Sequence, residues 1–363
     1  MTEPSAASYP SQGEEVAAAK LLLTKLGISV ADLLKESAAA DAPTFAEYIP
    51  AVARAVSPGT RRAYQPYWRF LADCWPTRRI TDPTPTEFEE LAEQVKANAI
   101  IRRNSRGGRS AVEHFVAAAR CLYRHAENDR LIHRAENRAI EVRKPRRLAS
   151  QRRALRVTEL SLINRTAATT GNDPELDTLL LRLHTETACR RGGALALRPK
   201  DVDPDLCLVH LREKGGTSRW QPVSPTLACA LIAHDETRPA ENAEATLLRY
   251  RNGRPITHRR YDHLWLRIGH ELPWVARQGI STHWLRHTTL TWVERNFGYA
   301  TAQAFAGHTT PSAASHSSTT ATYVKASIHD VATALAALTG EPHPLAEDIG
   351  STATTSGDGM VWL

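Results

Sequence analysis

The sequence predicts a mainly α protein with a small β-hairpin, an α+β fold divided into two domains. Long stretches carry apolar residues at helical spacing, and one pair of short β-prone runs flanks a Gly-Gly turn. A dense basic run without an acid interrupts a chain of 363 residues, which is long enough to bury two cores.

Residues 1–39 read as a tail with short helices. The first thirteen are rich in Ser, Pro and Ala and are expected to be mobile. EEVAAAKLLLTKLG and SVADLLKESAAA then read as amphipathic helices, the second opening with a Ser-x-x-Asp cap at Ser29. Residues 40–141 form an all-helical domain. Ser57 and Pro58 open a segment carrying Tyr64, Trp68 and Leu71; Thr84, Pro85 and Glu87 supply an N-cap, an N1 proline and an N3 glutamate; SAVEHFVAAARCLYRHAEND repeats apolar residues at helical spacing.

The stretch VRKPRRLASQRRALRV, residues 142–157, is expected to be an extended basic linker. Pro145 interrupts any helix, and like charges repel in a compact element. Residues 158–340 make the second domain. It begins helix-rich to Leu197, continues through the hairpin DLCLVHL-REKGGTSR-WQPVSPT, and resumes as helices at LACALIAHDE, THRRYDHLWLRIGHELPWVARQ and THWLRHTTLTWVERNFG. A last helix, SIHDVATALAALTG, has a Ser327–Asp330 capping box and one apolar face of Ile328, Val331, Leu335 and Leu338. Residues 341–363 read as a flexible tail.

Lys plus Arg outnumber Asp plus Glu by 46 to 39, giving a net charge of +7, so a polyanionic partner is expected. Nucleic acid leads and an anionic membrane surface is the alternative. The opening residues lack the charged and apolar regions of a signal peptide, and no run of 18 apolar residues exists, so a cytoplasmic, nucleoid-associated protein is expected. Five scattered cysteines without a CxxC pair argue against a disulfide framework or zinc site and read as reduced, buried thiols.

Three segments of the second domain fit one another chemically. TETACRRGGALALRPKDVD carries Arg190 and leads into the hairpin with Lys214; STHWLRHTTLTW carries His283, Arg286 and His287; AGHTTPSAASHSSTTATYVKAS carries His308 and Tyr323. Taken singly each is unremarkable, an arginine pair, a surface lysine or a Gly-His helix end. In this order and spacing, over roughly residues 153–326, the chain resembles the tyrosine recombinase (lambda-type phage integrase) family. Residues 40–141 are similar in pattern to that family's helical core-binding (SAM-like) domain.

The resemblance implies a site-specific recombinase that cuts and rejoins DNA through a 3′-phosphotyrosine, without metal, ATP or other cofactor. A phosphodiester under attack gains negative charge on its non-bridging oxygens, and two guanidiniums, Arg190 and Arg286, suit that charge. His283 and His308 would exchange protons with the nucleophile or phosphoryl oxygens, Lys214 would protonate the leaving 5′ oxygen, and Tyr323 would be the nucleophile. Lys144, Arg146, Arg147, Arg152 and Arg153 would contact DNA phosphates from the linker, crossing between two domains that clamp the duplex. The resemblance also implies a homotetramer on synapsed double-stranded DNA, an accessory DNA-bending or directionality factor, no membrane partner, and a last helix that docks on a neighbouring subunit rather than on its own domain. A type IB-like topoisomerase and a non-catalytic DNA-binding protein of the same fold are the alternatives.

Two features depart from the family. Its members usually carry an acidic residue three positions after the first arginine, where this chain has Gly193, so support for Arg190 must come from elsewhere or be weaker. The fifteen positions between His308 and Tyr323 exceed the usual interval, and His316 lies in the added stretch. Tyr299, the nearby competitor for the nucleophile, follows Phe-Gly at a helix end and is expected to be packed.

Overall fold

The computed structural model describes residues 12–27, 42–100, 107–146, 152–213, 216–238, 240, 242, 244–308 and 326–346. The first expected helix is α1, Gln12–Lys25. The second, with its Ser29 cap, lies outside the described residues, as do the first eleven residues and those beyond 346. The chain divides into two compact units, Met1–Leu148 and Ala149–Leu363.

In the first unit, polar residues set the helix starts, at Ser57 and Thr84 as the sequence suggests and also at Thr44. Thr44 opens α2 (Phe45–Ala55) and Thr84 opens α4 (Pro85–Ala97), each in a reciprocal capping box with a glutamate three residues on. Ser57 caps α3 (Pro58–Cys74), with Pro58 in the first turn, where a missing N–H costs nothing. The long helix α5 (Arg109–Asn128) buries Phe115, Val116, Leu122 and Tyr123 against α3 and α4, and α6 (Arg138–Glu141) closes the unit. Trp68 and Tyr123 reconcile bulk with polarity: the buried indole donates to the Ala118 carbonyl at 2.9 Å, and the phenol donates to the Ile80 carbonyl at 2.6 Å.

The second unit is built around α8 (Pro174–Thr187), which is buried on nearly every side and packs against α7 (Val157–Thr169), α10 (Pro225–Thr237) and α13 (Thr282–Ala306). A short helix, α9 (Arg191–Leu195), follows α8 and leads to a three-stranded antiparallel sheet, β1 (Val202–Asp203), β2 (Leu208–Arg212) and β3 (Ser218–Pro222), in the order β1-β2-β3. The hairpin pairs Val209 with Gln221 and Leu211 with Arg219. The sequence reading lacks β1, which at two residues is too short to show alternation.

The segment expected as one helix from Thr257 divides at Pro273 into α11 (His258–Glu271) and α12 (Pro273–Gln278), because proline removes a donor and clashes with the preceding turn. α13 runs past its expected end, bending at Gly298 (φ 80°, ψ 171°) and stopping at the left-handed Gly307.

Three further expectations change. Cys189 and Cys207 are buried, but Cys74 and Cys229 are exposed and Cys121 is intermediate. The last helix, α14 (Ile328–Thr339), does not stand free for a neighbour: Val331, Ala334, Leu335 and Leu338 are buried with Val293 and Phe305 in its own unit. Beyond it, Glu341 accepts from the Thr226 N–H and from the Arg182 guanidinium at 3.1 Å each, and His343 is buried with Nε2 3.1 Å from the Cys207 carbonyl. Among the described residues no helix is long and apolar enough to cross a membrane.

Candidate active site

Two helices end side by side beneath the hairpin, and their free carbonyls organise the site. α8 terminates at Ala188 in the left-handed region (φ 48°), which turns the chain so that Cys189 is buried and Arg190 emerges at the N-cap of α9. α13 terminates at Ala306 and Gly307. Terminal carbonyls lack helical partners and carry the negative end of the helix dipole, so cations are stable there.

Arg286 and Arg219 fill that role. Arg286, one turn into α13 and 4 % exposed, donates to the Ala188 carbonyl, to the Ala306 carbonyl at 2.8 Å, and to His308 Nε2 at 3.2 Å. Arg219, from β3, reaches the Thr187 and Phe305 carbonyls at 3.4 and 3.3 Å. Gly307 is required beneath it, since a Cβ there would lie 2.2 Å from Arg219 Nη1 and its φ of 62° disfavours side chains.

One carboxylate faces these cations. Glu213, at the end of β2 with a side chain only 1 % exposed, accepts from the Arg190 backbone N–H at 2.7 Å, from Arg190 Nη1 at 2.5 Å and from Arg219 Nη1 at 3.1 Å. Arg286 Nη1 stands 4.0 Å from its other oxygen. Burial opposes ionisation of Glu213, but the Arg190 N–H bond and the three guanidiniums override it and hold its pKa below the usual carboxylate range. Arg286 moves down to about 10, first because it is buried and then because Arg190 lies near. Three guanidiniums against one carboxylate leave excess positive charge, as an anion-binding site needs.

The histidines beside this cluster are set up to be neutral. His308 accepts from a guanidinium, which has no lone pair, so its Nε2 is the unprotonated nitrogen. Desolvation, then Arg286, Arg190 and Arg219, lower its pKa. His283 is exposed on the first turn of α13, and desolvation followed by the charges of Arg152, Arg286, His287 and Arg190 lowers its pKa as well.

Of the expected site residues, Arg190, Arg286 and His308 come together, and His283 precedes Arg286 by three positions on the same helix. Lys214 and Tyr323 lie outside the described residues, the first directly after Glu213 and the second between His308 and α14. Tyr299 is not packed: it is 67 % exposed, and its hydroxyl accepts from Gln303 at 2.7 Å. In the linker, Lys144, Arg146 and Arg152 are exposed, Arg147 is outside the described residues, and Arg153 is engaged with Glu159 at 2.5 Å. Among the described residues no group of three His, Cys, Asp or Glu could hold a metal ion. Sequence reasoning missed Glu213 and Arg219. The available signal was an acid directly before the hairpin lysine, in a chain whose Arg190 had no acid in its own turn.

Residues 153–328 match the phage integrase family. The tyrosine recombinase XerC of Chlamydia caviae is 28 % identical over 140 residues, 36 % of this chain, and the chain spans 43 % of that relative's length. The fold is similar to a lambda integrase dimer bound to a COC′ core site (14 % identity, TM-score 0.56, covering 74 % of this chain and 96 % of that one). It is also similar to the Tn1549 transposon integrase in complex with circular intermediate DNA (14 % identity, TM-score 0.57, 77 % and 97 %). Residues 153–328, just under half of the chain, thus match the phage integrase family, and the fold is similar to that of the lambda-type integrases.

Proposed function

We propose that this protein is a site-specific DNA recombinase that cleaves and rejoins double-stranded DNA through a covalent bond to Tyr323. The observation that carries the reading is the convergence of Arg190, Arg286 and His308 on one positively charged site beside the hairpin. Arg190 and Arg286 would hold the scissile phosphate and stabilise its added charge in the transition state. A neutral His283 would take the tyrosine proton, His308, whose Nε2 lone pair is held by Arg286, would donate through Nδ1 to a phosphoryl oxygen, and Lys214 would supply a proton to the leaving 5′ oxygen. The phosphotyrosine retains the energy of the cut bond, so rejoining needs no nucleotide cofactor.

The lambda integrase and Tn1549 integrase structures hold DNA, and one of them is a lambda integrase tetramer bound to a Holliday junction. A tetramer on paired sites, acting on nucleoid DNA in the cytoplasm, is part of the same proposal. So are phosphate contacts by Lys144, Arg146, Arg147 and Arg152; Arg153, committed to Glu159, would contribute less.

Peptide mapping of the product trapped on a nicked duplex tests the reading. Wild-type protein and Tyr299→Phe should carry DNA at Tyr323, while Tyr323→Phe should bind DNA and form no adduct. Attachment at another residue would overturn the assignment of the nucleophile. Binding by wild-type protein without any adduct would favour a non-catalytic protein. Cleavage that relaxes supercoils but never joins two sites would favour a topoisomerase.

A further inference from the structure

We infer that Glu213 is the positioning residue of this site, fixing Arg190 from the hairpin and thereby linking the arginine to the strand end that carries Lys214. The inference rests on the recombinase reading for its consequence, and on geometry alone for its content.

Glu213 is not a surface acid that happens to lie near arginines. Its side chain is 1 % exposed, and one carboxylate grips Arg190 twice, through the backbone N–H and through Nη1. The first bond fixes where α9 starts and the second fixes where the guanidinium points. The same carboxylate accepts from Arg219, which ties the ends of α8 and α13 together. Its own backbone N–H donates to the Thr217 carbonyl at 2.8 Å, tying the end of β2 to the start of β3. Moving Glu213 would therefore disturb Arg190, Arg219 and the pairing of the two strand ends together.

Gly193 is the second, independent observation. Its backbone is ordinary α9 helix with no positive φ, so no conformational demand calls for glycine. Space does: a Cβ built there would stand 3.2 Å from Glu213 Cγ and 3.5 Å from Glu213 Oε1. A side chain at 193 and the carboxylate of Glu213 compete for one volume. The carboxylate that supports Arg190 comes from the neighbouring strand, and Gly193 leaves open the volume it occupies.

This complementarity makes the inference testable by moving the carboxylate to the other side of the same volume. Glu213→Gln keeps the shape and removes the charge, and should slow single-turnover adduct formation on a nicked duplex on the order of 100-fold, the scale of an ångström misplacement at a reacting centre. DNA affinity should be undiminished. The double variant Gly193→Asp with Glu213→Gly returns a carboxylate to the same volume and should recover most of the loss. A purely structural role for Glu213 would not be rescued in this way.

Arginine-selective nitrogen NMR provides a readout independent of cleavage, because a guanidinium gripped by a buried carboxylate rotates slowly about its terminal bonds. The Arg190 signals should show slow rotation in the wild type, lose it in Glu213→Gln and regain it in the double variant. Wild-type cleavage rates in Glu213→Gln, or unchanged Arg190 signals, would overturn the inference. Should the double variant fail to fold, the nearly isosteric Glu213→Gln decides the question alone. A wild type that forms no adduct would remove the recombinase reading, while the Arg190 spectrum would still decide the role of Glu213.

Discussion

Replacing Arg286 with methionine separates what this side chain does for the fold from what it does for the site. The methionine fills similar volume without charge. At neutral pH the wild type holds a buried guanidinium whose pKa has fallen to about 10, a depression that costs the folded state roughly 3 kcal/mol relative to an unstrained arginine. Against that stand the bonds to the Ala188 and Ala306 carbonyls, at about 1.5 kcal/mol each for charge-assisted bonds. The two terms nearly cancel. Glu213 also keeps Arg190 and Arg219, so the substitution strands no buried carboxylate. Arg286→Met should thus change unfolding free energy by no more than about 2 kcal/mol in denaturant titration. Adduct formation should fall by a factor on the order of 1,000 or more, the scale for losing a preorganised charge at a developing anion. The pH dependence has a definite sign. Because the folded-state pKa is depressed, the unfolded chain holds the extra proton above pH 10, and wild type should gain stability relative to the variant as pH rises through that value. A loss above roughly 4 kcal/mol, with cleavage reduced only in proportion to unfolding, would refute the argument and make Arg286 a structural tie.

Two other expectations concern the scaffold. Leu335→Ala should destabilise the second unit by about 2–5 kcal/mol in thermal or denaturant unfolding, because the leucine is fully buried against α13 and the cavity cannot drain to solvent; a neutral result would mean that α14 does not pack on its own unit in solution. His184 is completely buried with Nε2 3.0 Å from the Tyr261 hydroxyl, and desolvation holds its pKa down at about 4, so only the unfolded chain takes up this proton as pH falls through 6.5 toward 4. Stability should decline over that window, and His184→Gln should show a shallower decline; identical slopes for the two proteins would remove His184 as a source of acid lability.

Much of the fold is legible in the sequence because its punctuation is local. Thr44, Ser57, Thr84, Ser224 and Ser327 each cap a helix through a side-chain oxygen and an N–H three residues away. Arg286 and His308 could be picked out since they sit in short motifs whose spacing survives without knowledge of the fold. The support of Arg190 was harder to read, because the acid before the hairpin lysine reaches it through a contact 23 residues away between a turn and a strand end. The docking of α14 was equally hidden. An apolar stripe states that a helix must bury a face and says nothing about whether its own unit or another provides the cover. Tyr299 shows the reverse failure: an aromatic at a helix bend reads as packed, yet Gly298 turns it outward into solvent.

The docking of α14 on its own unit also has an entropic consequence for Tyr323, the proposed nucleophile. Seating the helix anchors the Ser327 cap, and Tyr323 is four positions upstream of it. At roughly 3.5 Å per residue, plus its own side chain, the phenol is confined within about 20 Å of that anchor. One molecule in such a sphere corresponds to a local concentration on the order of tens of millimolar, the usual range for a short tether. The arm toward His308 is the long one, at fifteen positions, and closing a loop costs only logarithmically more as it lengthens. The added residues on that side therefore leave the local concentration of the proposed nucleophile almost unchanged. Residues inserted between Tyr323 and Ser327 would dilute it directly.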